Sequence, residues 1–272
     1  MSQKFLLLIL GLVFYLGAGC AVNPITGEQE LMLFSEKQDI EIGRQYAPEI
    51  EKQLGGRIAN QSLQNYIDSV GQKIARVCHK PNWQYHFTAV KHKSVNACAL
   101  PGGYIFITKG MLEKLTTEAQ LAALLGHEIT HVVARHSTAA MSRQQGLSLL
   151  LLGLGAAGAL PKQTSEGAIR AAQIAWQLIS LKYSREDERQ ADLAGLDYTI
   201  AAGYNPYGMV ETMQMLQEQH NIRPIEFLST HPSPENRIIS LTARIETRYK
   251  NPQGLKIGKQ DYHSNVLEHL ND

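Results

Sequence analysis

The sequence predicts an α+β fold, mostly helical, with one small β-sheet. Three observations carry that expectation. Apolar residues recur at helical spacing over Leu63, Tyr66, Ile67, Val70, Ile74 and Val77, and again over Leu121, Leu124, Leu125, Ile129, Val132 and Val133. Between these runs lie Gln84–Val90, which alternates and is rich in aromatic and β-branched residues, and two further strand candidates, Asn96–Leu100 and Tyr104–Thr108, with the turn Pro101-Gly102-Gly103 before the last. A hydrophobic content of 44% over 272 residues supports a sizeable core. The 26 basic residues against 25 acidic leave no basic excess, which argues against a nucleic-acid binder.

The chain divides into four parts. Residues 1–19 read as a signal peptide: Lys4 is followed by the apolar run Phe5–Leu16, too short to span a bilayer. Gly17-Ala18-Gly19-Cys20 resembles a lipoprotein cleavage box, which would make Cys20 the lipidated first residue; cleavage of an ordinary signal peptide at the same small residues is the other reading. Acyl chains there would hold the protein to a membrane. The absence of aspartate at Ala21 favours the outer membrane. Export implies an oxidising compartment, where Cys78 and Cys98 are open both to a disulfide and to remaining two buried thiols.

Residues 20–34 read as a tether with turn signals at Asn23-Pro24 and Thr26-Gly27, and residues 35–250 as one catalytic domain. Ser35-x-x-Gln38 starts a helix, Pro48 is expected to kink or split it, and Gly55-Gly56 stops it. Further helices are expected over Ala168–Leu181, Tyr207–Gln219 and Pro234–Tyr249. The apolar run Gly146–Leu160 is short of the ~20 residues a span needs; it reads as a buried helix, or as a surface that touches membrane or covers the active site. Residues 251–272 read as a polar, mobile tail.

The chemistry concentrates in His127-Glu128-Ile129-Thr130-His131. In a helix, positions i and i+4 share a face, so two imidazoles can grip one metal ion. Glu128 stands to the side, where it can act as general base towards a water. Thr117-x-x-Gln120 begins this helix, and the apolar pattern buries one of its faces. A third ligand is expected from Tyr183–Gly195, which offers Glu186, Asp187 and Glu188. Glu188 and Asp192 share a helical face, so one can bind metal while the other orients a ligating histidine; spacing does not say which. A third histidine downstream on the same helix fails the metzincin pattern, because positions 134 and 137 hold Ala134 and Ser137. His136 is therefore expected on the helix surface or behind a ligand.

Taken together, NPITGEQELMLFSE, NACALPGGYIFITKGML, the HEITH helix, YSREDERQAD and STHPSPENRI resemble the HtpX/CAAX-prenyl-endopeptidase family of zinc metallopeptidases, and more closely its periplasmic lipoprotein branch. The resemblance implies a zincin-like domain with the sheet beside the HExxH helix, holding one Zn²⁺ per chain. It makes Glu188 the third ligand beside His127 and His131, and Asp192 the acid behind a ligating histidine. It makes Asn96 and Ala97 substrate contacts on an edge strand, and His231 either an oxyanion stabiliser or a fourth ligand. Arg237 is expected to bridge to an acid nearby. Cys98 departs from the aromatic residue expected at its position. The expected function is hydrolysis of unfolded or misassembled envelope proteins in the periplasm, and the alternative is a zinc-stabilised chaperone or assembly factor that rarely cuts.

Overall fold

The computed structural model describes residues 19–153, 174–175, 177–231, 235–249 and 254–270. Residues 1–18 of the expected signal peptide, and the apolar run beyond Gly153, lie outside them. The described residues form ten helices and five strands. In chain order the helices are α1 Glu36–Gln53, α2 Gln61–Ala75, α3 Lys109–Leu112, α4 Glu118–Val133, α5 His136–Gly153, α6 Arg185–Ala201, α7 Tyr207–Ile222, α8 Phe227–Thr230, α9 Glu235–Arg248 and α10 Lys259–Asn265. The strands are β1 Cys20–Val22, β2 Gln29–Leu31, β3 His86–Val90, β4 Ala97–Leu100 and β5 Tyr104–Thr108.

Helix α4, which carries the HExxH pentad, is the axis of the molecule. It packs against α6, α7, α2 and β4. The sequence predicts one buried face; all 16 of its residues are buried, because neighbours enclose it on every side. Its N-cap is Thr117, whose side chain accepts from the Gln120 backbone, while the Gln120 side chain turns back to the Thr116 backbone N–H at 2.7 Å. The three-stranded sheet has the order β3-β5-β4, with β3 parallel and β4 antiparallel to β5. Strand β4 is thus an edge strand beside α4.

Three segments differ from expectation. Helix α1 has the Ser35/Gln38 capping box but runs on through Pro48 to Gln53 instead of splitting, with Ala47 and Ile50 buried on either side of the proline. The expected tether is folded: β1 and β2 pair as a hairpin, in register from Cys20–Leu31 to Val22–Gln29. That hairpin is fixed to the body by Asn23 on Gln190 and by the Leu33 N–H on Ser142 Oγ. Residues 254–270 of the expected mobile tail are also folded, because they carry core residues. Tyr262 and Val266 are fully buried, and the Tyr262 hydroxyl donates to the Leu112 carbonyl at 2.7 Å.

This C-terminal segment closes the N-terminus of α4. The carbonyls of Gly258 and Ile257 accept from the N–H groups of Glu118 and Ala119, which have no acceptor within the helix. Beside them the buried Glu118 carboxylate accepts from Tyr66 and Tyr204 hydroxyls at 2.6 Å each, and from Lys256 Nζ at 2.7 Å. Burial pushes its pKa up, but hydrogen bonds from Lys256, Tyr204 and Tyr66 outweigh that and hold it below the usual carboxylate range. The stability it contributes is therefore present above the unfolded-state value of about 4.3 and is lost as pH falls through the lower folded-state value. Glu118→Gln should lose about 2 kcal/mol at neutral pH, and urea unfolding should show that deficit shrinking below about pH 4. An equal deficit at pH 7 and pH 3 would contradict the charged hub.

Candidate metal centre

Four buried side chains converge where α4, α6 and α8 meet: His127, His131, Glu188 and His231. Their ligand atoms all lie within 4.8 Å of one another. His127 Nε2 is 3.1 Å from His131 Nε2 and 3.4 Å from His231 Nδ1. Glu188 Oε1 is 3.5 Å from His131 Nε2 and 2.6 Å from His231 Nδ1, and Glu188 Oε2 is 3.7 Å from His127 Nε2. Tetrahedral ligands at zinc-like bond lengths stand about 3.3 Å apart. The nitrogen spacings fit that figure, and so does the donor chemistry of three imidazoles and one carboxylate. A divalent first-row cation fits the residues present.

Helices α4 and α6 create this convergence by approaching unusually closely. A Cβ at Gly195 would lie 2.9 Å from the His127 backbone nitrogen, and one at Gly126 would lie 2.8 Å from the Gly195 carbonyl oxygen. Gly195 lies on the α6 face that carries Glu188 and Asp192, seven and three positions earlier. The Ser184/Asp187 capping box fixes where that helix begins.

Behind the donors stands a second layer. Asp192 Oδ1 lies 3.2 Å from His127 Nδ1. Arg237 holds Asp192 with both ends of its guanidinium, at 2.7 and 2.8 Å, and also reaches Glu188 Oε2 at 2.8 Å. Burial would raise the Asp192 and Glu188 carboxyls. Arg237 with His127 holds Asp192 below its usual range, and His231 with His131 holds Glu188 well below. His136 is buried, with Nδ1 at 2.9 Å from His131 Nδ1.

Glu128 is different. It is 0% exposed, and among the described residues neither carboxylate oxygen has a hydrogen-bond partner. His231 Nε2 lies 3.9 Å from its Oε1. Burial pushes its pKa up, towards the range in which a carboxylate can both take and return a proton near neutral pH.

Asn96 and Ala97 lie at the start of β4, both buried. The Asn96 N–H donates to Thr108 Oγ1, and its side-chain Oδ1 has no partner among the described residues. Cys78 and Cys98 are free thiols. Cys78 contacts the Tyr85 hydroxyl at 3.3 Å in the main core, whereas Cys98 packs with a separate cluster around Phe106 and Leu100. Cys20 is exposed at the head of β1. Two aromatic residues escaped the sequence reading: Tyr183 stacks on His131 with centroids 3.9 Å apart, and Phe227 on His231 at 4.1 Å. Tyr183 opens the acid block, but nothing in local spacing marks Phe227. Gly195 was visible only as the end of that block.

Comparison with known proteins agrees with this chemistry. The model for "Peptidase family M48" matches residues 61–245. The beta-barrel assembly-enhancing protease of Escherichia coli (strain K12) is 28% identical over 225 residues, which cover 79% of this chain and 45% of that protein. The mitochondrial metalloendopeptidase OMA1 of Schizosaccharomyces pombe is 30% identical over 176 residues, 64% of this chain and 50% of the relative. Its counterpart in Saccharomyces cerevisiae is 27% identical over 266 residues, 89% and 74%. The chain thus spans about half the length of the first two relatives.

Arg237 carries the charge balance of the centre. Replacing it would leave Asp192 and Glu188 buried without their cation. Arg237→Met, compared with wild type after metal removal, should lose roughly 3 kcal/mol in urea unfolding. Unchanged stability would show that the two acids are neutralised by other means.

Proposed function

The chain belongs to peptidase family M48, and from that premise we propose that it is a zinc-dependent endopeptidase of the bacterial cell envelope. The observation that carries the proposal is the junction of the buried donor set with an unpartnered, fully buried Glu128. A metal bound for structure alone would not require such a carboxylate beside it, since an unpaired buried acid costs free energy.

His127, His131 and Glu188 would hold the zinc, one per chain. Zinc held there would polarise the scissile carbonyl and make a nearby water acidic. Asp192 keeps His127 turned so that Nε2 faces the donors, Arg237 with His127 keeps Asp192 ionised, and His231 with His131 keeps Glu188 ionised. Glu128 takes the proton of the attacking water and returns it to the leaving amine. His231 directs Nδ1 at the other donors, which favours the fourth-ligand role over that of oxyanion stabiliser. A site closed by four protein ligands is an inactive one, so His231 withdraws for turnover.

Substrate main chain would pair with the edge of β4 at Asn96 and Ala97, giving sequence-tolerant recognition of extended polypeptides. Unfolded or misassembled envelope proteins are the proposed substrates. Supporting this are the lipoprotein-type signal at Cys20 and a relative named for enhancing β-barrel assembly. The proposed location is the periplasm, lipid-anchored at the outer membrane. No described helix is long and apolar enough to cross a membrane. The chaperone alternative is the weaker reading, because the relatives above are named as proteases and metalloendopeptidases.

Purified full chain should contain one zinc and cleave unfolded casein until a chelator is added. Glu128→Gln should keep the zinc and lose turnover by 10²- to 10⁴-fold, on the order of a general base's contribution. A fully active Glu128→Gln would refute the assigned base. Zinc without cleavage would make His231→Ala, which opens the fourth position, the next variant to assay.

A further inference from the structure

We infer that His136 is a positioning residue, which fixes the tautomer of His131 and takes its own orientation from the N-terminal hairpin through Gln190 and Asn23. This rests on the metal reading of the centre. The contacts form one buried chain. His131 Nδ1 meets His136 Nδ1 at 2.9 Å, His136 Nε2 meets Gln190 Oε1 at 3.2 Å, and Gln190 Oε1 accepts from Asn23 Nδ2 at 2.9 Å.

The direction of every proton in this chain is set by the partners of its two amides, Asn23 and Gln190. The Asn23 amide cannot flip, because its Oδ1 accepts from the Ile25 backbone N–H at 2.8 Å and its Nδ2 also donates to Glu30 Oε1 at 2.7 Å. Nor can the Gln190 amide, because its Nε2 donates to Glu186 Oε1 at 3.2 Å and a carboxylate only accepts. Gln190 therefore turns a carbonyl oxygen to His136, and His136 must donate from Nε2. In the neutral ring Nδ1 is then the acceptor, so His131 donates from Nδ1 and is left with a bare lone pair on Nε2, the atom that faces the donor set. That lone pair is what a metal needs, and without a cation it would face His127 Nε2 at 3.1 Å.

The backbone is bent to allow the first contact. In a continuous helix His136 would point about 140° away from His131. Between them Arg135 has φ +60°, the left-handed region a non-glycine residue rarely enters, and this break carries His136 round onto the His131 ring. Arg135 is held there by Asp39 and by the Phe34 carbonyl, at the end of the hairpin segment. The segment that begins at Cys20 is thus linked to the metal centre indirectly, by Asn23 through Gln190 and His136 and by Phe34 through Arg135.

The test uses full-length chain, zinc affinity by competition with a chromophoric chelator, and the His131 tautomer of the metal-free protein by ¹⁵N NMR. Wild type should show His131 protonated at Nδ1. His136→Leu removes the acceptor and should weaken zinc binding 10- to 100-fold, whereas His136→Asn, whose Oδ1 can take the place of Nδ1, should stay within about threefold. Gln190→Leu removes the oxygen to which His136 Nε2 donates. It should let His136 donate from Nδ1 instead, move the His131 proton to Nε2 and weaken zinc by a similar 10- to 100-fold. Melting of each metal-free variant separates this from loss of fold, and if His136→Leu does not fold, the other two variants carry the test. Wild-type His131 protonated at Nε2, or His136→Leu binding zinc as tightly as wild type, would overturn the inference. A wild type that binds no zinc would instead overturn the metal reading, while its tautomer would still decide the proton order.

Discussion

The metal centre depends on one steric fact, the contact of Gly126 in α4 with Gly195 in α6. With a side chain at either position the helix backbones could not approach as they do. Gly195 lies on the same face as the acids it serves, continuing the stripe of Glu188 and Asp192, and Gly126 directly precedes His127 in the chain. Close approach therefore delivers two acids to two histidines over distances their short side chains can bridge. A wider crossing would leave the acids buried and unpaired, which is costly, so packing and electrostatics select the same arrangement.

Both ends of α4 are restrained as well. At the N-terminus, Glu118 and the carbonyls of Ile257 and Gly258 tie the helix to α2, to Tyr204 and to the C-terminal segment. At the C-terminus, the left-handed Arg135 costs on the order of 1–3 kcal/mol in backbone strain, offset by its buried ion pair with Asp39. These restraints reach α4 from opposite ends of the chain, from residues 20–39 and 254–270. That explains why the two segments that read as tether and tail are ordered. Each supplies hydrogen-bond partners to backbone or side-chain groups of the metal helix that would otherwise be buried without them.

What could be read from the sequence follows from range. The pentad, the capping box at Ser35, the N-cap at Thr117, the three strands and the stripe of Glu188 and Asp192 are local patterns, with their meaning contained in a few residues. The tether and tail were misread because their composition is that of loops, with turn pairs in one and Pro and Gly in the other, while the groups that fix them are distant. Asn23 finds Gln190, and Tyr262 finds Leu112. Pro48 was expected to kink or split α1; the helix is not split, and Ala47 and Ile50 beside the proline are buried. His136 could be read only as lying outside the metzincin pattern. Its actual place depends on a φ value at Arg135 that no sequence rule supplies, since arginine is not a residue chosen for that region.

The four donors are not held alike, and the difference bears on the proposed mechanism. His127 and His131 sit on a 16-residue helix, and Glu188 on a 17-residue helix. His231 sits at the end of the four-residue α8. Among the described residues, the main-chain bonds that join this short element to its neighbours are two: the Phe227 N–H donates to the Val95 carbonyl at 3.2 Å, and the Thr230 carbonyl accepts from Tyr183 N–H at 3.1 Å, while the His231 N–H bonds back to Phe227 within the turn. Val95 immediately precedes Asn96 and β4, the edge proposed to receive substrate. A peptide adding to that edge needs the main-chain groups that α8 now borders. Docking of substrate and withdrawal of His231 would therefore act on the same contact, so that occupying the cleft itself weakens the hold on the fourth donor. Three donors on long helices and a fourth at the end of a short one are what a hydrolase would need if its site is to stay closed to water until a chain is bound.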